Sequence, residues 1–139
     1  MPYSSTWKLK SATREIVDPY EKIEPYGPNP VGYGIFAADG HMMAMILFEK
    51  RQRSEGLAAT DAEAVALNRS MLSDTGRWSI EGDKLINRVD AAWNETWTGT
   101  DQARFFEIEG KTMTLTTAPA PGSMDGRMGV STLVWEKVR

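Results

Sequence analysis

Two polar side chains stand where a strand pattern expects apolar ones. In the stretch WTGTDQARFFEIEGKTMTLTT, residues 97–117, Glu109-Gly110-Lys111 reads as a tight turn between two strand arms. Side chains alternate faces along a strand. Arg104 and Gln102 therefore share a face with Phe106 and Ile108, which the turn sets beside Met113 and Leu115. An arginine directed at a core must be paired, reach water or meet an anion. One chemistry is recognition of a carboxylate or enolate inside a cavity, because a guanidinium holds planar anions in bidentate fashion. The other is an internal ion pair with Glu95, Asp101 or Asp90, or an arginine that points outward. The sequence leaves this choice open.

Other residues would complete such a cavity. Asn87 shares a face with Leu85 and Val89 and offers a neutral hydrogen-bonding group. Tyr33, Met43, Met45, Trp78, Trp97 and Phe106 offer aromatic and methionine walls, which suit flat or irregular apolar molecules. Each of them also fits plain core packing. His41, the single histidine, follows the Asp39-Gly40 turn and reads as an exposed turn residue before it reads as a catalyst. There is no nucleophile motif and no phosphate-binding glycine loop. One histidine and no cysteine argue against a metal site, and no cofactor is expected.

The elements that must position these residues are mostly strands. Residues 5–13 alternate, with Trp7, Leu9 and Ser11 on one face. Residues 18–30 carry Pro25, Gly27, Pro28 and Pro30 and read as a loop over a barrel mouth or edge. Residues 31–38 form a strand with Gly32 and Gly34 on one face, where a bend or close approach is expected. Asp39-Gly40 gives a two-residue hairpin signal. Residues 41–48 return with both faces apolar, which suggests cover by the barrel interior and by a helix. Residues 60–73 read as the single inserted α-helix, with Thr60 and Glu63 as a capping box. Strands at 76–80, 84–92 and 130–138 complete the set, with a Pro/Gly loop at 118–129. The expected fold is all-β: an up-and-down antiparallel barrel of about eight or nine strands with that one helix, because closure removes exposed edges.

Length and composition bound the classes. The 139 residues suit one domain over 1–139. The net charge of −3 shows no basic excess, so nucleic acid is a poor partner. The absence of cysteine leans towards a reducing cytoplasm. The start MPYSSTWKLKSA has no apolar leader core, and no run is long enough to span a membrane as a helix.

The segments STWKL, YGPNPVGYGIFAADGHMMAMI, TDAEAVALNRSMLS, GRWSIEGDKLINRV, WTGTDQARFFEIEGKTMTLTT and LVWEKV occur in that order. Together they resemble the bacterial lipocalin-like domain family over most of the chain. The resemblance implies a calycin-type barrel with a central apolar cavity. It also implies a tryptophan near the start of the first strand, covered by a cation from the last. Trp7 matches, Ser5 stands where a glycine is usual, and Lys137 or Arg139 would supply the cation. Histidines that relatives often carry before the Trp-x-Gly stretch are replaced here by Asn87-Arg88.

The expected function is binding of a small hydrophobic molecule bearing a polar or anionic group, by a monomer or homodimer. Arg104, with Gln102, Asn87 or Tyr33, would hold the polar end. The alternative is a small cofactor-free enzyme in the same cavity, such as an isomerase, cyclase, hydratase or lyase. A filled-core interaction module is a third reading.

Overall fold

A computed structural model describes residues 4–17, 19–122 and 125–138. The strands are β1 (Thr6–Val17), β2 (Tyr20–Ile23), β3 (Val31–Phe36), β4 (His41–Leu47), β5 (Met71–Glu81), β6 (Lys84–Ala92), β7 (Asp101–Glu109), β8 (Thr112–Thr116), β9 (Ala120–Pro121) and β10 (Met128–Val138). One helix, α1 (Asp61–Asn68), lies between β4 and β5, and a 3-10 turn spans Glu95–Trp97. Hydrogen bonding follows the order β2-β1-β3-β4-β5-β6-β7-β8-β10-β9. A β1–β10 pairing closes eight of these strands into an antiparallel barrel, and β2 and β9 extend its rim. The expected all-β barrel is therefore the observed architecture. No helix is long and apolar enough to cross a membrane among the described residues.

Local chemistry explains the connections. Gly82 and Gly110 take positive φ, +66° and +64°, as first central residues of two-residue turns after Glu81 and Glu109. That conformation suits glycine and matches the twist of the flanking strands. The turn between β3 and β4 is longer than the expected two residues. Ala37 to Gly40 is closed by a Gly40 N–H bond to the Ala37 carbonyl, and Gly40 sits at φ +95°.

The helix is shorter than expected. Thr60 and Glu63 do form the capping box. The helix ends at Asn68, however, and Met71, Leu72 and Ser73 begin β5, where they pair with Leu47, Ile46 and Met45. The apolar spacing of Leu67, Met71 and Leu72 fits a helix face, but the sheet register took the last two. No residue of α1 is buried, so α1 does not cover the outer face of β4.

The core fills one end of the barrel. Trp7, Leu9, Phe36, Met42, Trp78, Leu85, Met113 and Trp135 are all buried there. Phe36 and Trp78 meet edge to face, with ring centroids 5.8 Å apart. The Trp78 indole N–H donates to the Ala37 carbonyl at 2.8 Å. Lys137 is opposite Trp7 in the β1–β10 register. Arg139, the other expected cation, lies outside the described residues.

Two irregularities interrupt the sheet register, and the first decides what faces inward on β1. β1 carries a bulge at Lys10, between the pairs Leu9–Trp135 and Ser11–Val134. An extra residue reverses the facing of all that follow. Before the bulge Trp7 and Leu9 are buried; after it Ala12, Arg14 and Ile16 are. A second irregularity lies between the pairs Thr75–Ala91 and Gly76–Val89, where Asp90 is the extra residue on β6 while β5 alternates unbroken; there a Cβ on Gly76 would overlap the Arg88 carbonyl of β6. Only glycine admits that approach.

Candidate functional site

The end of the barrel opposite the packed tryptophans is not filled. It encloses a cavity of about 370 Å³, within the range of small-molecule sites, roughly 300–1,000 Å³. Its apolar walls come from Phe36, Ala44, Ile46, Leu72, Leu115 and Leu133, with Trp135 beneath. Gly34 leaves room on β3: a Cβ there would lie 3.6 Å from the Trp135 ring. The mouth is bordered by Trp97, by Tyr26 from the Pro/Gly segment, and by the Ala118–Gly122 stretch.

Arg104 and Gln102 both line this cavity. Arg104 Nη1 donates to the Ala103 carbonyl at 2.9 Å, and Nη2 approaches Gln102 Oε1 at 3.4 Å. Gln102 Nε2 in turn donates to Thr100 Oγ1 at 2.8 Å. The guanidinium is thus held by neutral acceptors. The expected ion-pair partners are elsewhere. Asp101 lies 4.0 Å from Arg88 Nε, Asp90 accepts from Thr75 Oγ1 at 2.7 Å, and Glu95 is an exposed residue of the 3-10 turn.

Three titratable cavity residues were not singled out by the sequence. Asp74, 9% exposed, faces inward from β5 between Leu72 and Gly76. Burial pushes its carboxyl up to about 6, against a smaller opposing pull from Arg104. Desolvation also lowers the Arg104 pKa, countered by Asp74 and then by Tyr26. Tyr26 is the second. Its ring stacks on Phe48 at 4.6 Å, and burial raises its hydroxyl pKa while Arg104 and Arg14 pull the other way. Arg14 is the third. Only 7% exposed, it donates to Ser131 Oγ at 2.9 Å and to the Ala120 and Arg127 carbonyls at 2.7 Å each. Among the described residues its Nε is buried without a partner.

Asn87 lines the cavity as well, and among the described residues its Oδ1 is buried without a hydrogen-bond partner. Trp97 borders the mouth, edge to face with Trp93 at 5.0 Å. The other expected wall residues lie elsewhere. Trp78 and Phe106 pack at the filled end, beside Leu85 and Met113. Tyr33, Met43 and Met45 are 46%, 53% and 46% exposed on the outer face. The register explains this: Gly32, Gly34 and Phe36 take the inner face of β3, and Met42, Ala44 and Ile46 that of β4. His41 is also outside, its Nδ1 3.0 Å from Asp39. Hydrogen bonds from the His41 backbone and side chain hold the Asp39 carboxyl below its usual pKa. Among the described residues no His, Cys, Asp and Glu side chains cluster to hold a metal ion.

An antiparallel barrel with one packed end and one open, largely apolar cavity bearing a few polar groups is the architecture of a small-molecule-binding protein. A family model for the lipocalin-like domain matches residues 5–138, and the chain belongs to that family. No curated protein matches it. Among solved structures, an uncharacterized protein from Bacteroides eggerthii DSM 20697, determined at 2.60 Å resolution, is 13% identical. That alignment covers 98% of this chain and 99% of the other, with a TM-score of 0.45.

Proposed function

We propose that the cavity takes up a small apolar molecule carrying one anionic group. One observation carries this reading: two arginines, Arg14 and Arg104, and one carboxylate, Asp74, line an otherwise largely apolar cavity, and neither arginine is in a direct ion pair with it. At neutral pH one lining carboxylate stands against two lining arginines in a poorly solvated space, with Arg14 also drawn by Asp125 beside the lining, itself paired with Arg127. An anion is the partner that such a site favours. Arg104 receives the acid group, Gln102 orients the guanidinium, and Asn87 bonds a donor on the ligand. Trp97 and Tyr26 flank the entrance, while Ile46, Leu72, Leu115 and Leu133 contact the apolar body.

Native mass spectrometry of freshly purified protein, followed by organic extraction, tests the reading. A co-purifying apolar acid is the expected result. A neutral molecule bound in preference to acids of the same chain length would overturn it.

A further inference from the structure

We propose that the cavity also performs proton transfer at carbon, with Asp74 as the base and Arg104 facing the oxygen on which enolate charge develops. This rests on the proposed preference of the cavity for an apolar molecule with one anionic group, the anion at Arg104 being here the enolate formed in place.

The placement of Asp74 is the starting point. Its neighbours in the strand register are Ala44 on β4 and Ala92 on β6, whose side chains cannot hydrogen-bond. Among the described residues the carboxyl group has neither a hydrogen bond nor a direct ion pair, though it is buried. A carboxylate kept for stability would be paired. This one borders a cavity walled by Ala44, Ile46 and Leu72. Poorly solvated and unpaired, it is a stronger base than a carboxylate in water.

Arg104 supplies the complementary half. Its hydrogen bonds go to uncharged oxygens, so its charge remains to be shared with a substrate. A cation fixed before reaction at the site of a developing oxyanion lowers the barrier without reorganising. A base and an oxyanion partner in one cavity, not neutralising each other, are the two groups that enolisation needs.

The substrates are small β,γ-unsaturated carbonyl compounds with an apolar body. The C–H bond between the carbonyl and the double bond breaks, and its proton passes to the Asp74 carboxylate. The electron pair delocalises onto the carbonyl oxygen opposite Arg104. Asp74 then returns the proton to the γ carbon, giving the α,β-unsaturated isomer. Atoms and charge balance with no oxidant, reductant or second substrate.

The charged and titratable groups lining the same cavity are Arg104 from β7, Arg14 from β1 and Tyr26 at the mouth; the inner faces of β4 and β6 bring Ala44, Ile46 and Asn87, all uncharged. The rate therefore rises with pH as Asp74 ionises, near 6, and then levels off.

The test uses 5-nitrobenzisoxazole, from which a carboxylate base removes the ring C–H proton. The N–O bond then breaks and 2-cyano-4-nitrophenolate forms. The protein is expected to exceed acetate at equal concentration, and Asp74→Asn to lower kcat/KM by about 100-fold or more. Asp74→Glu should retain part of the rate, and thermal unfolding confirms that each variant is folded. Binding of 4-nitrophenolate is measured separately by calorimetry. Binding without turnover, or turnover that survives in Asp74→Asn, overturns the proton-transfer proposal and leaves the binding reading intact. No binding of 4-nitrophenolate overturns both.

Discussion

Asp74 and Arg104 line the same cavity and sense each other's charge, yet they do not form a direct ion pair. Desolvation outweighs their attraction at both groups, raising the carboxyl pKa and lowering that of the guanidinium. The site is thus less stable charged and empty than it would be either neutral or filled. Binding of an anion at Arg104 relieves one of the two costs.

The same relationship sets a pH dependence of stability. The Asp74 carboxyl titrates at about 6 in the folded chain, against 3.8 for the ordinary group. A raised carboxyl pKa means that the folded state holds the proton more tightly than the unfolded state. The stabilisation is complete below about 4 and is lost as pH rises through 6, amounting to about 3 kcal/mol at most. Asp74→Asn should therefore raise Tm at pH 8, and the gain should vanish near pH 4. A fall in Tm at pH 8, tracked by circular dichroism, would contradict a strained carboxylate.

Arg14 fastens the mouth to the barrel. Its Nη2 binds the Ala120 and Arg127 carbonyls together, and the Gly122 N–H reaches the same Arg127 carbonyl at 3.0 Å. Arg14→Met leaves those carbonyls short of a donor, a loss of about 2–4 kcal/mol. Hydrogen exchange at the Gly122 and Gly126 amides should quicken before that of the β4 and β5 amides. Uniform quickening across the barrel would show that Arg14 does not act locally.

Two inward glycines should respond oppositely to alanine. At Gly76 a Cβ would overlap the Arg88 carbonyl, which the β6 backbone cannot easily withdraw. Gly76→Ala should cost about 2 kcal/mol or more in urea unfolding. At Gly34 the nearest atom would be 3.6 Å away, so Gly34→Ala should fold normally and only narrow the cavity. Equal destabilisation by both would contradict the bulge geometry.

Much of this was legible beforehand, and the misses share a cause. Alternation on 97–117 put Gln102 and Arg104 on the inner face of β7, where both line the cavity. The β6 strand at Lys84–Ala92 and the glycine turns were also readable, because turn chemistry and period-2 patterning are local. Arg14 escaped because the bulge at Lys10 reverses the facing of β1, and alternation from Trp7 points it outward. Asp74 escaped because the helical spacing of Leu67 and Met71 concealed the start of β5; the alternation Leu72, Asp74, Gly76, Trp78 was the available signal. Tyr33, Met43 and Met45 looked like walls by residue type, but sheet register, not composition, decides facing.

The most direct measurement compares dodecanoate with dodecanol by isothermal titration calorimetry at pH 7.5, using wild-type protein and Arg104→Met. The account predicts that wild-type protein prefers the acid, and that Arg104→Met weakens dodecanoate by about 10-fold or more, in keeping with a charge-assisted hydrogen bond. Dodecanol affinity should be nearly unchanged and the barrel equally stable or more so. Equal binding of the two ligands by wild-type protein, or full dodecanoate affinity in Arg104→Met, would contradict the cavity as an anion-selective site.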